Sequence, residues 1–187
     1  DAINGAKRPM LIAGPVVLRQ YAGKNLLRLA EKLQMAVMVT SKARGVIPED
    51  HPLYAGVMSG VYTAGTLEER IVARSDAIVA VGLDRMELLS PWRYGQTLLA
   101  LDAINVPPEE AVGRPAFTAA GPLPELLDSL TDGLRERRAW HAPEIRGYWD
   151  EAMRVLGAGD TDLNAAAVLA RARRAAPNDA IVTTEAG

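Results

Sequence analysis

Apolar residues in this chain alternate between short unbroken runs and spaced stripes. Pro9-Met-Leu-Ile-Ala13, Met35 to Val39, Asp76-Ala-Ile-Val-Ala-Val81 and Thr97 to Leu101 are runs of the length expected for buried strands. Between the first two, Ala22, Leu26, Leu29, Ala30 and Leu33 recur at three- and four-residue steps, which predicts an amphipathic helix. Thr66–Arg74 reads as a second helix, with Leu67 and Ile71 on one face and Glu68 and Glu69 in its dipole-favoured first turn. Leu83–Gly95 is irregular, and Pro115 to Ala119 is a short fifth strand. Gly121-Pro-Leu-Pro124 then opens a helix with Leu123, Leu126, Leu127, Leu130 and Leu134 on one face. Strands alternating with amphipathic helices predict an α/β fold: a doubly wound, mostly parallel sheet of five or six strands with helices on both faces.

One long interruption stands out. Thr40-Ser-Lys-Ala-Arg-Gly-Val-Ile-Pro-Glu-Asp-His-Pro-Leu-Tyr-Ala-Gly56 follows the second strand and is punctuated by Gly45, Pro48, Pro52 and Gly56. That density of turn formers predicts an ordered loop at the edge of the sheet. After Arg138 the pattern changes. Trp140-His-Ala-Pro143 reads as a linker, and Ile145, Trp149, Ala152, Met153 and Leu156 share the face of one helix. A further helix is expected over Asp162–Ala176, and a strand over Ala180–Thr184 that would open another α/β domain. The expected units are 1–138, a helical linker at 139–178, and the first strand of a next domain at 179–187. Asp1-Ala-Ile-Asn-Gly5 reads as the tail of a helix and there is no initiator Met, so a piece of a longer protein is expected.

Composition narrows the chemistry. At 187 residues and 49% hydrophobic, the chain can build a real core, and with a single Phe that core must be aliphatic. The absence of cysteine excludes disulfides, thiolate metal sites and cysteine nucleophiles. Two distant histidines give no support to a zinc site or a histidine triad. A net charge of -2 offers no electrostatic case for nucleic acid, and the clusters Arg135/Arg137/Arg138 and Arg171/Arg173/Arg174 read as solvated helix ends. No run approaches the ~20 apolar residues that span a bilayer, so a cytoplasmic protein is expected, without a membrane partner.

In a parallel sheet, ligands sit beyond the carboxyl ends of the strands. The residues following each strand are Gly14, Pro15 and Val16; Thr40, Ser41 and Lys42, with Gly56 closing the loop; Gly82 and Asp84; and Asp102. Glycines admit a close ligand, hydroxyls can bind phosphate, and a strand-end carboxylate can accept from ribose, so the set suits a nucleotide. The G-x-G-x-x-G fingerprint is missing after the first strand, which disfavours a conventional NAD site. Each residue also has a plain reading as a turn, a cap or a surface ion pair. No carboxylate pair or Ser–His–Asp spacing marks catalytic residues or metal ligands.

These motifs together resemble the central domain of thiamine-diphosphate-dependent enzymes of the acetolactate synthase type. Arg8-Pro-Met-Leu-Ile-Ala-Gly14 is similar to that family's opening strand and glycine turn, and Thr40–Gly56 to its signature loop with His-Pro-Leu-x-x-Gly. Ala73–Gly82 and Leu99-Ala-Leu-Asp102 resemble its later strands. The resemblance runs from Ala6 to Leu134 and implies a Rossmann-like (DHS-like) domain. It further implies a parent enzyme in which thiamine diphosphate and Mg²⁺ carry out 2-keto acid decarboxylation or carboligation. The cofactor would be held by pyrimidine- and diphosphate-binding domains outside this segment. It implies a homodimer or homotetramer for the parent, and a fragment inactive alone.

Some members of the family hold FAD in this domain, others ADP with part of CoA, and others nothing. The flavin pattern is broken at Ser59-Gly-Val-Tyr-Thr63, at Leu83-Asp-Arg-Met-Glu87 and at Ile104, each change removing a polar handle. An alternative reading is a non-catalytic nucleotide-binding or oligomer-assembly module. An NAD-dependent deacylase of similar fold is disfavoured, since those enzymes usually carry a four-cysteine zinc site.

Overall fold

The computed structural model describes residues 2–61, 65–84, 87, 95–103, 115–157, 163–177 and 179–183. Contacts divide the chain into two units, Asp1–Tyr148 and Trp149–Gly187. In the first, six parallel strands form one sheet: β1 (Pro9–Ala13), β2 (Ala36–Thr40), β3 (Tyr54–Met58), β4 (Ala77–Val81), β5 (Thr97–Asp102) and β6 (Phe117–Ala120). Their order is β3-β2-β1-β4-β5-β6, the doubly wound order with its switch point between β1 and β4. β1, β2 and β4 are buried at every position. Since successive side chains point to opposite faces, both faces of the sheet are covered there, and this is why these strands read as unbroken apolar runs.

The described helices of this unit are α1 (Ala2–Gly5), α2 (Pro15–Arg19), α3 (Gly23–Leu33), α4 (Leu67–Arg74), α5 (Leu123–Gly133) and the first half of α6 (Ala142–Val155). α3 buries Leu26, Leu29, Ala30 and Leu33 and ends on Gln34 in the left-handed region, whose N–H returns to Ala30 O and Glu31 O. α4 starts where expected: Thr66 Oγ1 accepts from Glu69 N at 3.2 Å, a cap that satisfies one free amide of the first turn. α5 buries Leu123, Leu127 and Thr131 and packs on α3. Asn25 and Arg28 donate to Asp128, and Arg28 also to Asp132. Among the described residues no helix is long and apolar enough to cross a membrane.

Three local expectations need correction. The stretch Thr40–Gly56 is not all loop: after a 3-10 turn at Ser41–Ala43 and an irregular passage, Tyr54–Met58 forms the edge strand β3. Gly56 therefore lies inside a strand, with φ of +104° beside a register shift opposite Val37 and Met38. Only a glycine adopts that conformation without strain, so this residue makes a bulge rather than a loop end. Gly14-Pro15, read as a turn, instead starts α2, with Pro15 at the position where a missing N–H does no harm.

In the second unit, α7 (Ala165–Ala175) is capped by Asn164, whose Oδ1 accepts from Ala167 N at 2.8 Å. Residues 180–183 are not in a strand, and Ile181 and Val182 are exposed. A β-run forms a strand only against a partner's ladder, and residues 180–183 have none among the described residues. Thr184 lies outside them.

Candidate functional site

The carboxyl edge of the sheet brings most of the expected positions together. At the switch point the turns after β1 and β4 touch. Gly14 N donates to Val81 O at 2.8 Å and Val16 N to Gly82 O at 3.2 Å. An ideal Cβ on Gly14 would stand 2.2 Å from Gly82 O, so the glycine serves a contact between backbones. Gly82, with φ of +58°, also gives no room: a Cβ there would lie 2.8 Å from Val16 Cβ. Its N–H is bonded to Leu101 O at 2.8 Å. Pro15 is buried and has no N–H to offer.

Beside β2, the Thr40 hydroxyl is fully buried and donates to Glu87 Oε2 at 2.6 Å, while Lys42 N donates to Glu87 Oε1 at 2.7 Å. Glu87 itself is 7% exposed, so this carboxylate is dissolved in donors supplied by the turn after β2. Ser41 and the Lys42 side chain face solvent. Beyond β3 the same device recurs. Glu68, 5% exposed in the first turn of α4, accepts from Ser59 N at 2.8 Å, Ser59 Oγ at 3.1 Å and Gly60 N at 3.2 Å.

Asp102, at the end of β5, accepts from Ala103 N at 2.6 Å, and its carbonyl accepts from Gly121 N at 2.9 Å. Its carboxylate caps its own turn. Asp84 O takes Glu87 N at 3.0 Å and so helps hold that side chain in place. Of the expected set, then, Gly14, Pro15, Val16, Thr40, Ser41, Lys42, Gly82, Asp84 and Asp102 lie along the carboxyl edge, and Gly56 does not. Ile104 and residues 62–63 and 85–86 of the flavin-pattern comparison lie outside the described residues.

Glu87 and Glu68 were missed as residues of this edge. Glu68 was read only as a helix-dipole partner. For Glu87 the sequence held a faint signal: a lone carboxylate in Met86-Glu87-Leu88-Leu89 invites a buried acceptor.

The fit to a nucleotide can be tested on donors. A phosphate group at this edge needs free N–H or O–H groups. The amides of Gly14, Val16, Lys42, Ser59, Gly60, Gly82 and Ala103 and the hydroxyl of Thr40 are all bonded within the chain. Among the described residues the buried side-chain atoms lacking a partner are Arg8 Nε, Gln96 Oε1 and Arg137 Nε. Arg8 and Gln96 precede β1 and β5, and Arg137 runs beside the end of α3, so these orphans gather at the amino end of the sheet. Among the described residues, the strand-end amides named here and the Thr40 hydroxyl therefore offer no donor to the phosphates of FAD or ADP. Nor do the described residues hold a group of three or more carboxylates and imidazoles suited to a metal ion.

The amino end carries the other polar cluster. Arg8 lies 4.1 Å over the Trp140 ring and pairs with Glu144 at 2.6 Å, and Tyr148 donates to the same Glu144 oxygen at 2.8 Å. Burial raises the Glu144 carboxyl. The hydrogen bonds from Arg8 and Tyr148, with the charges of Arg8 and Arg74, outweigh that and hold it below the ordinary range. A cleft of about 330 Å³ near Glu31, Gln34 and His141 opens at this end, away from the carboxyl edge.

Comparison with known proteins agrees with the fold. Residues 1–110 match the family model described as "Thiamine pyrophosphate enzyme, central domain". The Bacillus subtilis "Putative thiamine pyrophosphate-containing protein YdaP" is 28% identical over 200 residues, which is 99% of this chain and 32% of that protein. The Mycobacterium tuberculosis "Putative acetolactate synthase large subunit IlvB2" is 30% identical over 64% of this chain and 22% of its own length. A solved Mycobacterium smegmatis structure, titled a "putative thiamin diphosphate-dependent enzyme", superposes with a TM-score of 0.59. It is 32% identical, over 75% of this chain and 27% of that one. The chain thus spans about a third or less of the length of these relatives.

Proposed function

This chain belongs to the thiamine pyrophosphate enzymes and carries their central domain, and from that premise we propose that its own role is structural. It supports a longer enzyme that decarboxylates or ligates 2-keto acids, of the acetolactate synthase or decarboxylase type. Thiamine diphosphate, with Mg²⁺, supplies the carbanion chemistry in such an enzyme. The residues of this chain contribute no group to that step. The parent works in the cytoplasm as a homodimer or homotetramer, and this domain packs against the pyrimidine- and diphosphate-binding domains of the same protein.

The observation that carries the reading is the family match over residues 1–110, on a sheet whose carboxyl-edge polar groups are engaged with one another. Among the described residues, the strand-end amides and the Thr40 hydroxyl that a nucleotide-binding module would present are already taken, which favours the structural role over FAD or ADP binding. Incubated with pyruvate, thiamine diphosphate and Mg²⁺, the 187-residue chain is expected to release no carbon dioxide. Turnover by this chain alone would overturn the proposal.

A further inference from the structure

The turn after β2 presents a buried hydroxyl and an inward amide to a single carboxylate from a distant part of the chain. Thr40 and Glu87 are 47 residues apart, yet the Thr40 Oγ1 to Glu87 Oε2 distance is 2.6 Å and both side chains are buried. In doubly wound sheets this is the edge where ligand phosphates collect. We infer that Glu87 seats its carboxylate where a ligand's anionic group would accept from this turn, so that the carboxyl edge is closed to nucleotides by the chain's own groups.

Three features at neighbouring strand ends point the same way. Glu68 takes both amides and the hydroxyl that β3 delivers at Ser59 and Gly60. At the switch point Val16 N is bonded to the Gly82 carbonyl, and the Gly14 and Gly82 turns stand in backbone contact. Asp102 consumes Ala103 N after β5. A diphosphate entering here would meet two buried carboxylates of its own charge and would have to break hydrogen bonds already made, and among the described residues of the β2 turn only the solvent-facing side chains of Ser41 and Lys42 stand outside that network. This inference shares its edge geometry with the structural role proposed above but does not rest on the family match: nucleotide binding would overturn the closed edge, whereas turnover by the chain alone would overturn only the proposed role.

Thermal unfolding midpoints of the wild-type protein and of Glu87→Ala, each titrated with ADP, FAD, inorganic phosphate and acetate, test it. The wild-type midpoint is expected to stay fixed with all four. Glu87→Ala is expected to start lower and to regain at least about 3 °C with phosphate or acetate, because an anion can then enter the vacated place. A wild-type midpoint raised by ADP or FAD overturns the inference. So does a Glu87→Ala protein that answers none of the anions, since the carboxylate would then not be filling an anion's place. If Glu87→Ala does not fold, Glu87→Ser leaves nearly the same space and is read the same way. Equilibrium dialysis of ADP against the wild type decides if neither variant folds: saturable uptake refutes the closed edge, and none upholds it.

Discussion

A methyl group at position 14 would stand 2.2 Å from Gly82 O and 2.5 Å from Leu83 Cα. Both obstacles are backbone, so no rotamer change relieves them, and the turns after β1 and β4 would have to separate at the switch point. Gly14→Ala is therefore expected to lower stability by about 3 kcal/mol or more, at or beyond the upper end for overpacking. Gly147, inside α6, gives the control. Nothing lies within 4 Å of the place a methyl group would take there, and Gly147→Ala should add about 0.5–1 kcal/mol through the helix backbone. Urea melts of the two variants check the pair, and equal small effects would show that the contact at Gly14 relaxes freely. At this scale the glycine that ends β1 was legible, because Gly after a buried run is a strong signal, although it caps a helix and does not make a plain turn. The occupant of the edge was not: nothing local to Thr40 announces that its partner is Glu87.

Residues 137–140 form a strap along the end of α3. Arg137 N donates to Lys32 O, Ala139 N to Leu33 O and Trp140 N to Gln34 O. The strap is pinned by Trp140, which is 1% exposed and whose Nε1 donates to Pro9 O at 2.8 Å at the start of β1. Trp140→Ala removes a large buried ring and should cost about 3–5 kcal/mol. Trp140→Phe keeps most of the packing but leaves a buried carbonyl without its donor, about 1–3 kcal/mol. Denaturant unfolding of both variants measures this; a Trp140→Ala loss below about 0.5 kcal/mol, ordinary for a surface site, would mean that the strap carries no load. The expected linker thus begins as a well-anchored segment. Burial alone did not decide which elements were legible: the largely exposed β6 was expected, whereas the almost fully buried β3 was not. β1, β2 and β4 are buried on both faces and appear as unbroken apolar runs. β3 was hidden because Gly56 makes its bulge and glycine reads as a turn. α2 was hidden because it has one turn and a half, begun by a proline.

For the whole molecule, the doubly wound order followed from the alternation of runs and stripes, while the electrostatics did not, since Arg8 and Glu144 lie 136 residues apart and meet only in the fold. Those fold-made pairs set how global stability depends on pH. Glu144 is held below its ordinary value of 4.5, so the folded state binds its proton less readily than the unfolded chain. Its contribution is present above the unfolded value and is lost as pH falls through the folded one. Tyr54 moves the other way. Burial, reinforced by Glu49 against the opposing charge of Arg44, pushes its phenol from 10 up to about 12. The folded state then keeps a proton that the unfolded chain releases above pH 10. Stability is complete below that value and falls as pH rises from 10 through 12. Tyr148, raised by burial and by Glu144, adds to the same alkaline loss. Thermal midpoints measured across both limits should separate the two ends. Glu144→Gln should lower the neutral plateau and flatten the acid limb below about pH 4.5, leaving the alkaline limb largely in place. Tyr54→Phe, which has no proton to lose, should flatten part of the fall between pH 10 and 12 and leave the acid limb unchanged. If Tyr54→Phe follows the wild type through the alkaline range, its burial does not govern that limb. If Glu144→Gln keeps the full acid slope, the Arg8–Glu144–Tyr148 cluster does not set the acid limit.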